Sequence, residues 1–291
     1  MTPELRQKVL DFLGDVKTIP TLPDVYFRVK KAFEDPSVSV DYLADAIRYD
    51  QALTISILRL VNSPLFGFRS KISSMSQAIM MIGLREVYSL VLSISVMGLF
   101  PIQEKEEEVL FPAKQYWAHS LGVGVMAKLI AKTMNMTNSE ELFVAGLIHD
   151  IGKLIMKINN KEVFDTICQK AREDRCFFYQ AEQKVLGFTH ADVGAVLAEN
   201  WKFPEILVVT TGGHHNPDGA DTEVDQLMTS IIQVSDSLVR SLGWGWGGDP
   251  FVTPVSMETM KRLHLVSFHD LGSLVSKARE EYDAALQALV Q

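Results

Sequence analysis

The sequence predicts an all-α protein built from two helical lobes. Three features carry that expectation. Strand-like alternation with tight hairpin turns is hard to find, helix-start signals recur, and apolar residues return at helical spacing. Ser74-Met75-Ser76-Gln77 reads as a capping box, with Ser74 as N-cap and Gln77 reaching back to its amide, and Gly83 is placed to end that helix. A second helix follows from Leu84 to about Leu99. Asn138-Ser139-Glu140-Glu141 is a further cap, opening the helix expected to carry His149-Asp150. From Leu271 to Val290, Leu274, Ala278, Tyr282, Ala285 and Leu289 share one face, expected to pack on the C-terminal lobe.

The lobes are separated by a charge run, Gln103-Glu104-Lys105-Glu106-Glu107-Glu108, of the kind that forms solvated connections. The expected division is residues 1–100 for the first lobe, 101–112 for the linker and 113–291 for the second. The first lobe contains no histidine and the second holds all seven. Gly243 to Pro250 is too rich in glycine for a helix and reads as a surface loop. Its tryptophans, Trp244 and Trp246, either pack back on the core or mark a contact patch. Val40 to Asn62 has the outline of a helix-turn-helix. Its second helix, however, offers only Gln51, Arg59 and Asn62, and Asp41, Asp45 and Asp50 outnumber Arg48 and Arg59. A base-reading helix needs more basic and amide side chains, so the segment reads as a packed helical hairpin.

Composition narrows the function classes. Of 291 residues, 47% are hydrophobic, and the mean hydropathy of +0.09 describes a folded, core-rich chain. The net charge of -8 disfavours nucleic acid and anionic lipid as partners. The N-terminus lacks the apolar core of a signal peptide, and the apolar stretch Val87–Phe100 is too short to span a bilayer. Cys168 and Cys176 are read as core or surface thiols, and a reduced, cytoplasmic location is expected.

His149-Asp150 offers an imidazole nitrogen and a carboxylate oxygen to one point within an apolar run. Burying that carboxylate alone costs several kcal/mol, so it calls for a partner such as a divalent metal. His119 lies early in a helix running to about Met134. His190 follows Thr189, a candidate N-cap. His214-His215 follow Gly212-Gly213 at a helix end, and Asp236 is the lone acid on an apolar helix. Histidine and carboxylate together suit Fe, Mn, Zn, Co or Ni. His264 and His269 fall outside this pattern.

The order His119, His149-Asp150, Asp236 resembles the pattern of the HD superfamily of metal-dependent phosphohydrolases, and His190, His214 and His215 resemble the additional ligands of its HD-GYP branch. The Gly-Tyr-Pro segment of that branch is absent: His214-His215-Asn216-Pro217-Asp218-Gly219-Ala220 leads into an acidic stretch. Over residues 10 to 240 the chain is similar to the HDOD family, an HD-related output domain of bacterial signalling proteins. Ile19–Val25, Asp50–Thr54, Leu58–Ser63, Lys71–Ser74, Ala78–Leu84, Trp117–Ser120, His149–Lys153 and His190–Gly194 carry that similarity. It implies an HD-type helical bundle in the C-terminal lobe and a separate signalling protein as partner. It also implies a regulatory, non-catalytic module that keeps an HD-type site for one or two divalent ions (Fe, Mn, Zn or Ni).

The alternative reading is a phosphohydrolase acting on a nucleotide or other phosphoester. One ion would then take His119, His149, Asp150 and Asp236, and a second His190, His214 and His215, with Asp150 bridging. In that case Asp150 and Lys153 carry the catalysis, the lysine meeting a phosphate oxygen. A third account needs no ion, the same residues forming a hydrogen-bonded polar network.

Overall fold

The structure, a computed structural model, describes residues 1–14, 20–63, 66–100, 111–249 and 251–290. Among these residues no strand occurs, as the sequence leads one to expect. In chain order the helices are α1 (Pro3–Leu13), α2 (Asp24–Phe33), α3 (Val40–Arg48), α4 (Gln51–Val61), α5 (Met75–Ile82) and α6 (Leu84–Leu99). There follow α7 (Ala113–Thr133), α8 (Ser139–Ile148), α9 (Ile151–Asn159), α10 (Lys161–Glu173), α11 (Phe178–Leu186) and α12 (His190–Asn200). The series ends with α13 (Glu205–Gly213), α14 (Glu223–Ser241), α15 (Met257–Arg262) and α16 (Phe268–Leu289).

The chain divides into two compact units, though along other boundaries than the sequence suggests. One unit joins Met1–Pro20 to Ile102–Leu274, and the other joins Thr21–Pro101 to Val275–Gln291. The chain's two ends have therefore changed places relative to the expected division. Of the linker expected over residues 101–112, residues 101–110 lie outside the described residues, and Phe111 is buried. Residues 1–20 belong with the histidine-bearing unit because α1 is fastened to it: Arg6 pairs with Glu199, Phe12 meets Phe188 edge-on at 5.4 Å, and Asn159 Nδ2 donates to Phe12 O at 2.7 Å. From Val275 onward α16 belongs with the unit that lacks histidine, not with the C-terminal lobe. Its amphipathic face is as read, with Leu274, Ala278, Tyr282 and Ala285 buried. Such a face specifies burial but not the surface it is buried against.

In the unit without histidine, α3 and α4 form the expected hairpin. Asp50 caps α4 by accepting from Leu53 N at 2.9 Å. The outward side chains include Tyr42, Tyr49 and Ile55 rather than a basic row. Ser74 caps α5 and Gly83, at φ 90°, closes it. Gln77 reaches the amide of Ser73 at 3.0 Å, one residue before the expected target. No single described helix is long and apolar enough to cross a membrane. The α5–α6 pair is so only jointly and is bent by 119°.

In the other unit α7 is buried from Tyr116 to Ala131 and packs against α8 and α14, while α12 packs against α9 and α13. Glycines set the closeness of these helices. A Cβ on Gly146 would stand 2.7 Å from the Gly124 backbone, bringing α8 onto α7. One on Gly152 would overlap the carbonyl oxygen of His190, so α9 lies directly on the start of α12. That contact sets Asp150 beside His190. Gly152→Ala is expected to destabilise the protein by about 1–3 kcal/mol through overpacking, read as a lowered thermal midpoint. An unchanged midpoint would mean that α9 and α12 are not in this contact.

Candidate metal centre

His149 and Asp150 do not lie within one helix, as the sequence suggested, but at the break between α8 and α9. His149 follows the last residue of α8, and Asp150 has φ -99° and ψ 10°. Adjacent side chains on a continuous helix do not face each other, so the break is what lets this pair converge. Asn138 does stand before α8, but without a capping hydrogen bond. Its side-chain amide contacts Met228 Sδ instead. His190 opens α12 as expected, with Thr189 and Asp192 forming a reciprocal capping box. His214 and His215 follow α13, and His119 and Asp236 face inward from α7 and α14.

These elements bring all seven expected residues into one cluster. His119, His149, Asp150, His190, His214 and Asp236 are at most 3% exposed, and His215 is half-buried. His264 and His269 are exposed and stand apart. Asp150 lies at the junction. Its Oδ1 is 2.9 Å from His190 Nε2 and 3.5 Å from His214 Nε2, and its Oδ2 is 3.3 Å from His149 Nε2. His215 Nε2 is 3.0 Å from His190 Nε2. On the other side His119 Nε2 is 3.0 Å, and His149 Nε2 3.7 Å, from Asp236 Oδ1. Two sets, Asp150 with His190, His214 and His215, and Asp150 with His119 and His149, each gather their ligand atoms within 4.8 Å.

The outer nitrogens of the rings settle what the inner ones present. His149 Nδ1 donates to Gly146 O at 2.7 Å and His214 Nδ1 to Thr211 O at 2.8 Å. His190 Nδ1 donates to the Glu182 carboxylate at 2.6 Å. With its proton on Nδ1, a neutral ring turns a lone pair inward from Nε2. His119 Nε2, His149 Nε2 and Asp150 Oδ1 are buried without a hydrogen-bond partner. Burial lowers the pKa of His119 and takes that of His214 to about 4; His215, with His214 and His190 adding to its burial, falls well below the usual value. At His149 burial acts the same way, but Asp150 and Asp236 prevail and raise it to about 9. Burial would raise Asp150, yet His149, Lys153 and His190 hold it well below the usual carboxylate range. Lone pairs and carboxylate oxygens converging on a dry interior fit a divalent cation, and the residues present could hold one.

Four further groups complete the centre, none of them marked by sequence spacing as ligands. Fully buried Glu182 accepts from both the ring and the backbone amide of His190, the second at 3.0 Å. A carboxylate behind a ligand histidine fixes its tautomer and orientation. Arg240 donates Nε to Asp236 Oδ1 at 2.7 Å, and its Nη1 lies 3.1 Å from Asp249 Oδ2. Asp249 in turn accepts from Phe178 N at 2.9 Å. The Gly243–Asp249 loop, expected on the surface, lies over the cluster. Trp244 is buried, and Trp246 N donates to Gln115 O. A Cβ on Gly245 would overlap the His119 amide, and one on Gly247 would come within 2.7 Å of the His119 ring. Lys153 is fully buried beneath this loop, donating to Asp150 Oδ2 at 2.7 Å and to Gly247 O at 2.9 Å. It faces Asp150 as expected, but the ammonium is committed within the protein rather than offered to a phosphate.

Known proteins share this architecture. An HDOD domain protein with unknown function from Geobacter sulfurreducens superposes with a TM-score of 0.81 at 26% identity, covering 98% of both chains. The "Putative phosphohydrolase" of Shewanella amazonensis SB2B superposes at 0.75, covering 97% of this chain and 98% of that one. At 21% identity it shares the fold. An uncharacterized protein of Treponema pallidum (strain Nichols) is 27% identical over 231 residues, 79% of this chain, and the chain spans 43% of that relative's length. The family model for the HDOD domain matches residues 19–217, more than half of the chain, which belongs to the HDOD domain family.

Proposed function

We propose that this HDOD chain is a regulatory module whose buried His/Asp centre holds a divalent metal without turning over a substrate. The observation that carries this reading is a complete donor set that is closed. The inner nitrogens of His149, His190 and His214 converge on a buried carboxylate, while the Gly243–Asp249 loop covers His119 and Lys153. A catalytic metal site keeps a position open to substrate, whereas a structural one is closed by protein ligands. Here the only half-exposed donor is His215, and Tyr179 stacks on its ring at 4.3 Å. When bound, a divalent ion supplies Lewis acidity; in this reading it serves to tie together the elements that carry its ligands. A signalling protein as partner follows from the same reading, with the module presenting its folded surface to it.

The phosphohydrolase reading has support of its own. The same seven residues in the same order resemble the HD superfamily set, and a neighbour of like fold carries a phosphohydrolase name. The two readings part on turnover. Metal-stripped protein supplied with Mn, Fe, Zn or Ni is expected to gain thermal stability, by about 2.7 kcal/mol when free ion stands at 100 times its dissociation constant. No hydrolysis of phosphomonoester or phosphodiester probes is expected. The double change His149→Ala/Asp150→Ala should abolish the gain. Turnover that requires the ion and disappears in the double variant would establish the hydrolase instead.

Glu182→Ala is expected to weaken metal binding by about 10–100-fold, because His190 loses the partner that aims it. Glu182→Gln, which can still accept from Nδ1, should fall between. Isothermal titration with Zn measures both, and equal affinity in all three proteins would remove Glu182 from the centre.

A further inference from the structure

Four buried carboxylates surround the cluster: Asp150, Asp236, Asp249 and Glu182. Two buried cations, Lys153 and Arg240, stand among them. Counted with every imidazole in the neutral form that metal ligation requires, this leaves a deficit of two positive charges, which one divalent ion fills. Two such ions would leave a surplus of two in a low-dielectric interior, where unbalanced charge is expensive.

The cations also stand on one side. On the side of His119 and His149, both carboxylate oxygens already face a protein cation. Asp236 Oδ1 accepts from Arg240 Nε at 2.7 Å, and Asp150 Oδ2 accepts from Lys153 Nζ at 2.7 Å, with Arg240 Nη2 a further 3.8 Å from Oδ2. On the other side Asp150 Oδ1 faces His190 and His214 and has no hydrogen-bond partner. The separations there are 2.9 Å (Asp150 Oδ1 to His190), 3.0 Å (His190 to His215), 3.4 Å (His190 to His214) and 3.5 Å (His214 to Asp150 Oδ1). Ligand atoms that are each roughly 2.1 Å from a common ion stand about 3.0–3.4 Å apart.

Building on the metal-holding reading above, we infer that the centre takes one divalent ion, bound by Asp150, His190, His214 and His215. The guanidinium of Arg240 stands in for a second ion beside His119, His149 and Asp236. This departs from the two-ion arrangement that the sequence resemblance implies. It makes Arg240 the residue that sets stoichiometry, acting through Asp236 and Asp150 rather than as a ligand.

The test uses full-length protein stripped with chelator, loaded with excess Mn(II) and freed of unbound ion. The wild type is expected to retain one Mn(II) per chain, with the electron-resonance spectrum of an isolated ion. His119→Ala should keep it and His190→Ala should lose it. Arg240→Gln, which deepens the charge deficit, should move the content from one ion toward two, with spectral coupling between them. Two ions in the wild type would overturn the inference and leave the metal-holding reading standing, as would loss of the ion in His119→Ala. No ion in the wild type would remove both. The wild-type measurement decides the stoichiometry even if Arg240→Gln does not fold.

Discussion

The carboxylate of Asp150 is fully buried and is the point about which one unit of this protein is organised. Lys153 meets one oxygen, while the lone pairs of His190 and His214 face the other. An ionised carboxylate in a dry interior is tolerated only when every neighbour is placed for it. The surrounding helices show what that demands. The break after α8 turns His149 and Asp150 to one point. Glycines at 124, 146 and 152 let α7, α8, α9 and α12 approach at backbone distance. Outer hydrogen bonds to Gly146, Thr211 and Glu182 decide which nitrogen each ring turns inward. These are features of packing, and together they set the Asp150 carboxylate between the Lys153 ammonium and the inner nitrogens of His190 and His214.

Closure of the centre follows from the same constraint. Lys153 spans from Asp150 to Gly247, so the ammonium that neutralises the carboxylate also holds the covering loop. Asp249 anchors the end of that loop between Arg240 and the amide of Phe178. Opening the loop would therefore break the buried Arg240–Asp249 ion pair and the hydrogen bonds from Lys153 to Gly247 and from Phe178 to Asp249. A site that must admit and release a substrate many times each second gains nothing from such a cover, whereas a site that stabilises a fold does. The helical architecture that this chain shares with HDOD proteins is compatible with either use, since function resides in the site rather than in the fold.

Much of this was legible in the sequence for local reasons. Ser74, Thr189 and Gly83 act within one turn of chain, so their spacing alone places α5, α6 and α12. The seven His and Asp positions were legible through their order, which matches a known pattern. What escaped was set by tertiary contact. Glu182 looks like any surface acid on α11 until its carboxylate is found on His190, eight residues on. Gly243–Asp249 has the composition of an exposed loop, and only the absence of side chains at Gly245 and Gly247 hints at a tight approach. The ends of the chain were misassigned because amphipathic helices such as α16 declare a buried face without declaring its partner. Asn138 fails as a cap for the same reason: its amide has an alternative contact with Met228, ninety positions away.

One arrangement was only half read in the sequence: Lys153 was expected on the side of Asp150, while the pairing of Arg240 with Asp236 was not. Lys153 follows Asp150 by three positions and Arg240 follows Asp236 by four, the spacings at which helical neighbours meet. Each central carboxylate thus brings its own cation on its own segment. Local pairing of this kind forms as the helix forms and needs no external ion, so the carboxylates can be buried before any metal arrives. A site assembled solely by metal would leave them repelling one another in its absence, as in small domains that fold only with their ion. Here each of the two internal cations, Lys153 and Arg240, meets a central carboxylate from its own segment of chain.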